Sequence, residues 1–330
     1  MNPENTFLKA KFDDILGQEA VKQQLRSALM TDRHVLLVGP PGIGKTTIAK
    51  NIAKILPAQV VNDCPFHCNP KNPICPDCIE QKKKGKKIKT KKVQGIFVRV
   101  QGSPDLTAED LIGDIDPIKA MKFGPLSTQA FTPGKIFKAN GGIMFFDEVN
   151  RCSEKLQNAL LQVLEEKKAT IGSYDVDFAA DFIFIGTMNP EDTSTEPLSD
   201  VFLDRFDLIY CNYPENIEIE KRIVELKGKR LADFPEKLLF AMIQFVRDFR
   251  HHKDVEKKPS VRASIGLYER AQANALLKGK RKVDWKDIQE AVISVLSHRI
   301  RLKPSVKYLK SPEEFVKEEL EEFEDKGGFL

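Results

Sequence analysis

The chain has 330 residues, 41% of them hydrophobic, so it can bury a sizeable core and form two domains. Its 52 basic and 48 acidic residues leave a formal net charge of +4, too small to indicate nucleic-acid binding by itself. No apolar run approaches the roughly 18 residues of a membrane span, and the segment from Met1 to Lys11 is too polar for a signal peptide. We therefore expect a cytoplasmic protein.

The first two thirds of the chain alternate between predicted strands and helices. Apolar residues at helical spacing predict a helix within 13–29, and the apolar run 34–38, which ends in glycine, predicts a buried strand. A second helix is predicted from Thr46 to Leu56, where Pro57 stops it. The other predictions in this part are strands at 97–100, 143–146, 182–185 and 208–211, a helix with a loop over 104–135, a helix that Ser153 caps, and a hairpin over 169–178.

Only helices are predicted after Pro214, between residues 216 and 303. Alternating strands and helices followed by helices alone indicate an α/β fold with a parallel sheet and an all-α lid domain. We predict a core domain at 1–214, a lid at 215–303 and an acidic C-terminal tail at 304–330. Residues 62–92 lack periodicity and are predicted to form a surface insertion in the core domain.

One glycine-rich segment carries the strongest chemical signal. Its backbone N–H groups can surround phosphate oxygens where no Cβ interferes, and the positive end of the following helix faces the same anion. We expect Lys45 to contact the β- and γ-phosphates and the Thr46 hydroxyl to bind Mg²⁺, with Thr47 also at the nucleotide. The alternative is a chance glycine loop. The segment comprises Gly39, Pro40, Pro41, Gly42, Ile43, Gly44, Lys45 and Thr46, which match G-x-x-x-x-G-K-[ST] between a predicted strand and a predicted helix.

Two carboxylates follow a predicted apolar strand. Asp147 and Glu148 end the run 143–146, and the carboxyl ends of strands in an open α/β sheet face the ligand crevice. Asp147 would hold Mg²⁺ through water, and Glu148 would act as a general base on the attacking water. An ordinary acidic turn is the alternative. Asn189 closes a neighbouring strand and would orient the same water, although Asn-Pro is also a common turn signal.

Four cysteines, Cys64, Cys68, Cys75 and Cys78, lie within fifteen residues. Four thiolates complete a tetrahedral Zn²⁺ shell and leave no position open for water, so we predict a structural zinc site. His67 is a possible substitute ligand, and an iron–sulfur cluster, which also takes four cysteines, is the less favoured alternative.

Eight lysines fall between Lys82 and Lys92, directly after the cysteines. They could contact phosphates or an acidic partner. The alternative is a solvated mobile loop, which is the usual structure of such a charge run.

Taken together, these motifs resemble the AAA+ ATPases. The segment 39–46, the strand end 145–148 and Asn189 are similar to the Walker A, Walker B and sensor-1 elements of that family. The segments 147–151 and 157–161 resemble, more specifically, the MoxR group and the ATPase subunit of magnesium chelatase. The resemblance extends from about residue 12 to about residue 300, apart from 62–92.

This resemblance implies a homo-oligomeric ring, usually a hexamer, with ATP between neighbouring subunits. Arg205 would be the arginine finger that reaches a neighbour's γ-phosphate, and the alternative is an ion pair with Asp204 or Asp207. Arg262 would be the sensor-2 arginine, whose partner is either its own subunit or the neighbouring one. Ile15 and Leu16 would line the adenine pocket, and the alternative is a helix start with a glycine turn. Residues 105–135 fall where this group carries its helix-2 insert. Candidates for a protruding tip of the insert are Met121, Lys122 and Phe123, and the alternative is plain connecting structure.

The function that the resemblance implies is an ATP-driven motor that remodels a protein partner. The expected partner carries a von Willebrand type A domain, and ATP, Mg²⁺ and structural Zn²⁺ are the expected cofactors. One alternative is a nucleic-acid-dependent, helicase-like or loader ATPase, which the lysine run and the metal knuckle favour slightly. A second is the ATPase subunit of a metal chelatase, although the cysteine insertion departs from the better-known chelatase pattern and no porphyrin site is evident.

Overall fold

The structure is a computed structural model that describes residues 7–8, 10–124, 127–170, 177–190 and 198–327. The chain divides into two compact units. The first unit comprises Met1–Ile15, Glu19–Gly39 and Gly44–Cys211. The second comprises Leu16–Gln18, Pro40–Ile43 and Asn212–Leu330.

A five-stranded parallel sheet forms the centre of the first unit. The strands are β1 (His34–Val38), β4 (Phe97–Gln101), β7 (Ile143–Asp147), β10 (Ile183–Met188) and β11 (Phe206–Tyr210). They are hydrogen-bonded in the order β11–β1–β10–β7–β4. The apolar runs 35–38 and 143–146 are buried, as strands covered on both faces require. Because all five strands run in one direction, their carboxyl ends meet at one edge, termed here the carboxyl edge, and their amino ends at the opposite amino edge.

Helices and three short antiparallel strand pairs surround this sheet. The helix α1 begins later than the sequence pattern predicts, because Gly17 and Gln18 have φ of 66° and 56° and interrupt a helical path. The helices are α1 (Glu19–Met30), α2 (Lys45–Ile55), α3 (Pro76–Lys83), α4 (Ala108–Ile112), α5 (Pro117–Phe123), α6 (Lys135–Lys138), α7 (Glu154–Glu166) and α8 (Asp200–Leu203). The strand pairs are β2 (Gln59–Asn62) with β3 (Thr90–Val93), β5 (Gly113–Ile115) with β6 (Phe131–Pro133), and β8 (Lys168–Thr170) with β9 (Asp177–Ala179).

The prediction that residues 62–92 form a surface insertion is wrong for part of the segment. The segment contains α3, is bracketed by the β2–β3 pair, and contributes Phe66, which is only 5% exposed. The Phe66 ring packs against Phe131, Phe137 and Phe178 at centroid distances of 6.3, 4.8 and 5.6 Å. A single aromatic anchor produces no periodic pattern, so the sequence does not reveal this burial.

The second unit is helical around its own core. Its helices are α9 (Ile217–Lys227), α10 (Glu236–His251), α11 (Val261–Leu277), α12 (Trp285–Leu296), α13 (Pro304–Lys307) and α14 (Pro312–Asp325). The prediction that strands stop at Pro214 is wrong, since β12 (Val255–Lys257) pairs with β13 (Arg301–Leu302). The sequence does not reveal these strands because each is too short to show an alternating pattern. The segment predicted as a tail supplies α14, whose Phe315, Val316 and Leu320 are buried in the core of this unit. Within the described residues, no helix combines the length and apolar character that crossing a bilayer requires.

One buried carboxylate joins the helices of the second unit. Glu220 on α9 is fully buried and accepts two hydrogen bonds of 2.7 Å from Arg250 and one of 2.6 Å from Ser264. Arg247 lies 3.2 Å from the same carboxylate. Burial raises the pKa of Glu220, but the hydrogen bonds and charge of Arg250, with Ser264 and Arg247, outweigh it and hold the pKa below 4.5. The network ties α9, α10 and α11 together.

Replacing Glu220 with glutamine leaves two guanidinium groups without their buried counter-charge. We expect Glu220→Gln to lower the free energy of unfolding by about 3–5 kcal/mol in denaturant titration. The control, Glu256→Gln, breaks the exposed pair with Arg301 at 3.1 Å and should cost less than about 1 kcal/mol. Because folding lowers the pKa of Glu220, its contribution is complete above the unfolded value of 4.5 and is lost as pH falls below it. Equal losses in the two variants would contradict this role.

Candidate nucleotide site

The glycine-rich segment joins β1 to α2 at the carboxyl edge. Gly42 and Gly44 have φ of 78° and 99°, which residues with a Cβ rarely adopt. The Gly39 amide donates to the Met188 carbonyl at 3.1 Å, so the loop begins beside the end of β10. The Lys45 ammonium donates to the Gly39 carbonyl and therefore lies folded over the loop. A glycine-rich loop with an ammonium beside it has the groups that phosphate binding requires.

The first turn of α2 contains Thr46 and Thr47 and has no acidic residue. The N–H groups of a first helical turn have no partner within the helix, and they carry the positive end of the helix dipole. An anion is therefore favoured at this end of α2.

The segment predicted to line the adenine pocket lies beside α2. Asp14 accepts hydrogen bonds from Asn51 at 3.1 Å and Lys54 at 2.6 Å, both on α2. Ile15 is buried and Leu16 is half-buried. These contacts hold the segment next to the helix that follows the glycine-rich loop.

The acidic pair lies where β7 ends, between the ends of β10 and β4. Thr187 donates to Asp147 Oδ1 at 2.8 Å and accepts from the Glu148 amide at 2.9 Å. Arg99 Nη2 lies 2.6 Å from Asp147 Oδ2, and Gln101 Nε2 donates to Glu148 Oε2 at 3.0 Å. Each carboxylate therefore has a partner on the neighbouring strands. The sequence does not reveal Arg99 and Gln101 as site residues, because their roles depend on which strands are neighbours.

The backbone at Glu148 adopts a left-handed conformation, with φ of 56° and ψ of 53°. Such a conformation costs of order 1–3 kcal/mol in a residue with a Cβ, and it persists only where the surroundings enforce it. The Gly102 amide donates to the Asp147 carbonyl at 2.7 Å. A Cβ at Gly102 would lie 2.0 Å from the Glu148 carbonyl oxygen. Gly102 therefore lets the ends of β4 and β7 approach closely enough to fix the Glu148 backbone.

Adding a methyl group at Gly102 should displace Glu148 without touching the glycine-rich loop. We expect Gly102→Ala to lower kcat for ATP hydrolysis by about tenfold to hundredfold, since displacements near 1 Å have effects of this size, while affinity for Mg·ATP stays near wild type. Ser103→Ala, in the same loop, is the control and should retain full activity. Steady-state hydrolysis and nucleotide titration test this expectation. ATP hydrolysis at the wild-type rate in Gly102→Ala would show that the close approach of Gly102 to Glu148 is not needed for catalysis.

The parallel sheet thus brings most of the predicted site residues to one edge. Lys45 begins α2, the helix that the loop after β1 leads into. Asp147 ends β7 and Glu148 follows it, and Asn189 directly follows β10. Asn189 is half-buried, and β10 pairs with both β1 and β7. Two carboxylates and one amide side chain therefore lie at the same edge of the sheet as the glycine-rich loop. Hydrolysis of a phosphoanhydride needs groups of these types near the phosphates.

Arg205 lies apart from these residues. It precedes β11 and is therefore at the amino edge, where its guanidinium is 3.1 Å from Glu165 and 4.0 Å from Asp204. The other predicted alternative partner, Asp207, pairs instead with Arg33 at 3.1 Å. A five-residue strand separates Arg205 from the carboxyl edge, a rise of roughly 15 Å. This distance exceeds the reach of an arginine side chain.

Arg262 is the second residue of α11 and is exposed. Within the second unit, a Cβ on Gly42 would lie 2.7 Å from Ser260 Oγ and 3.2 Å from Arg262 Cδ. The start of α11 therefore adjoins residues 40–43 of its own chain. Burial and the nearby charge of Arg262 lower the pKa of Arg299.

The two cysteines outside the cluster, Cys152 and Cys211, are buried and are not in disulfides. Burial raises the pKa of Cys211 to about 11, and it also raises the pKa of Cys152. Both thiols are therefore protonated at neutral pH, and a protonated thiol is a poor nucleophile and metal ligand.

Sequence models of three families match the chain. The model described as magnesium chelatase, subunit ChlI, matches residues 11–65. The model described as ATPase family associated with various cellular activities (AAA) matches 81–208, and the AAA lid domain matches 247–321. The residues between the first two matches, 66–80, include three of the four clustered cysteines.

Curated relatives align with most of the chain. The magnesium-chelatase subunit ChlI homolog of Methanocaldococcus jannaschii is 30% identical over 94% of this chain and 89% of its own length. The chaperone MoxR1 of Mycobacterium tuberculosis is 25% identical over 87% of this chain and 73% of its own length.

Solved structures share the fold. A cryo-EM-based model of the complex between magnesium-chelatase subunits BchI and BchD has a TM-score of 0.50 and 22% identity, and the match covers 90% of this chain and 98% of that one. A mutant of RuvB from Thermotoga maritima has a TM-score of 0.50 and 18% identity, with 86% and 72% covered.

A parallel five-stranded sheet, a phosphate-binding loop, an acidic pair at the carboxyl edge and a helical lid define a P-loop ATPase, and the predicted fold class is confirmed. The chain belongs to the AAA+ ATPases, in the group that contains MoxR and the ATPase subunit of magnesium chelatase. The resemblance inferred from the motifs is therefore confirmed as well.

Proposed function

We propose that the chain forms a cytoplasmic ring, a hexamer, that uses ATP hydrolysis to remodel a protein partner. The observation that carries the proposal is the distance between Arg205 and the carboxyl edge of its own sheet. A guanidinium at the amino edge cannot serve the nucleotide of its own chain, whereas head-to-tail packing of subunits can present it to a neighbour. A closed ring supplies one such arginine to every site.

The residues at the carboxyl edge divide the chemistry among them. Lys45 and the loop amides bind the phosphates, and Glu148 takes the proton of the attacking water while Asn189 orients it. Arg262 acts as the sensor-2 arginine that the family resemblance implies, toward the nucleotide of its own or of the neighbouring subunit. The hydroxyl and carboxylate oxygens of Thr46 and Asp147 are the donor types that Mg²⁺ prefers, Asp147 acting through water. When bound there, Mg²⁺ neutralises charge on the β- and γ-phosphates.

The partner class that we propose is a protein with a von Willebrand type A domain, as the family resemblance implies. Kinship with a protein named as a chaperone supports a protein client. On α5, Ile118 and Met121 are 80% and 90% exposed, and Lys122 and Phe123 are also exposed. These side chains form an apolar and basic tip that could contact such a client.

Two other functions remain as alternatives. The first alternative is an ATPase that depends on nucleic acid, and all eight lysines of 82–92 are exposed. However, Lys84 pairs with Glu80, and Lys91 pairs with Asp63 at 2.9 Å, so these two lysines already have an acidic partner. The second alternative is the ATPase subunit of a metal chelatase, and the 30% identity to the magnesium-chelatase subunit ChlI homolog supports it. Stimulation of ATP hydrolysis by single-stranded DNA would favour the first alternative.

Capture of partners on the Glu148→Gln variant tests the proposal, because this variant should bind ATP without turning it over. With Mg·ATP we expect a ring on size-exclusion chromatography and one co-purifying protein that stimulates wild-type hydrolysis. The matched control is Lys45→Ala, which by itself should neither form the ATP-dependent ring nor retain the partner, because none of its interfaces then holds ATP. If Glu148→Gln stays a monomer both with and without Mg·ATP, this result would contradict the ring.

A further inference from the structure

The four clustered cysteines form one compact group in the first unit. Cys68, Cys75 and Cys78 are buried, Cys64 is half-buried, and none is in a disulfide. Their sulfur atoms all lie within 4.8 Å of one another. Zn–S bonds of about 2.3 Å in a tetrahedron place sulfurs about 3.8 Å apart. The spacing therefore suits a single ion at the centre of the group.

Backbone amides surround the sulfurs. The Cys68 amide donates to Cys64 Sγ at 3.3 Å, and the amides of Ile74 and Cys75 donate to Cys68 Sγ at 3.4 and 3.3 Å. The Cys78 amide donates to Cys75 Sγ at 3.4 Å, where α3 begins. Amide donors aimed at sulfur stabilise the thiolate form and orient it as a ligand. Neutral thiols would gain little from four such donors.

The same geometry favours one zinc ion over an iron–sulfur cluster. A cluster of several irons and sulfides lies between its cysteine sulfurs and spreads them further apart than a single ion does. The group consists of four cysteines, and His67 is not part of it. Four sulfur ligands with no open position are typical of a structural zinc site.

The group lies toward the amino edge of the sheet, away from the nucleotide residues. Asn140, which precedes β7, donates to the Phe66 carbonyl at 3.1 Å and accepts from the Asp181 amide at 2.8 Å. Asp181 precedes β10, and the Phe66 ring packs on Phe178 of β9. The loop between Cys64 and Cys68 is therefore joined to the segments that lead into two central strands.

We infer that Cys64, Cys68, Cys75 and Cys78 bind one Zn²⁺, and that this ion fixes the loop that carries Phe66 into the aromatic cluster at the amino edge. The site is structural, because four sulfurs fill the coordination shell and ATP binds at the opposite edge. Its presence does not depend on the ring or on the identity of the partner.

The half-buried Cys64 allows a test that leaves the core packing intact. Protein purified without added metal should contain about one zinc per chain, as should the control Cys152→Ala, which removes a buried thiol outside the cluster. Cys64→Ala should lose the ion, whereas Cys64→His should retain it, because imidazole is also a zinc ligand. Cobalt replacement should give a tetrahedral thiolate spectrum that shifts in Cys64→His.

Metal and thiol counts then decide the outcome. Less than about half an equivalent of zinc, with all four thiols free, would overturn the site, and iron with inorganic sulfide would overturn its assignment to zinc. Hydrogen exchange tests the structural role. Removing the ion should speed exchange in 64–78 and 177–179 and leave Mg·ATP affinity unchanged. Unchanged exchange in these segments, or loss of ATP binding, would contradict the inferred role.

Discussion

Replacing Arg205 with alanine should lower kcat for ATP hydrolysis by about 10³–10⁵-fold, the range measured for arginine fingers. The guanidinium fork spreads positive charge over the γ-phosphate oxygens as negative charge develops there, and a methyl group cannot. Affinity for Mg·ATP should change little, because each chain's own loop makes the ground-state contacts. Glu165→Gln, which removes one of the resting partners of Arg205, at 3.1 Å, is the control, and its activity should stay close to wild type.

Mixing two inactive variants separates a finger supplied by a neighbour from one that acts within the chain. Arg205→Ala subunits keep an intact glycine-rich loop, and Lys45→Ala subunits keep an intact Arg205. In randomly mixed rings about one interface in four joins an intact loop to an intact arginine. Co-expression should therefore restore a measurable share of the activity. Full activity in Arg205→Ala alone, or no recovery in mixed rings, would refute the trans arrangement.

Glu148→Gln should lower kcat by about 10²–10⁴-fold, because an amide cannot take the proton of the attacking water. The variant should still bind Mg·ATP, since glutamine keeps the size of the side chain and the backbone hydrogen bond to Thr187 remains. Glu154→Gln, an exposed change at the start of α7, is the control. Single-turnover hydrolysis and nucleotide titration give the two quantities separately. Hydrolysis at the wild-type rate would remove Glu148 from the role of base.

The parts of the site that are contiguous in sequence could be predicted. The glycine-rich loop lies between a buried strand and a helix, and the acidic pair ends an apolar run, so each motif carries its own local context. The parallel sheet then brings their ends to one edge, as the fold class implies. Family resemblance added Arg205, whose proposed role in a neighbouring subunit's site no local pattern indicates.

The contacts between strands could not be predicted. Arg99 and Asp147 are 48 residues apart in the chain, and their 2.6 Å contact exists only because β4 lies beside β7. The close approach of Gly102 to Glu148 has the same origin. The burial of Phe66 could not be predicted for a different reason. One buried ring within a polar segment produces no periodic pattern of apolar residues. Long-range pairing and single anchors are thus the features that a sequence pattern does not contain.

Isothermal titration calorimetry with Mg·ATP most directly tests whether this chain is a nucleotide-driven motor. We expect a saturable heat corresponding to about one nucleotide per chain, and its loss in Lys45→Ala, since the loop amides and the Lys45 ammonium grip the phosphates together. Absence of heat from both Mg·ATP and ADP, with the wild-type protein folded, would contradict the assignment of the nucleotide site and everything built on it.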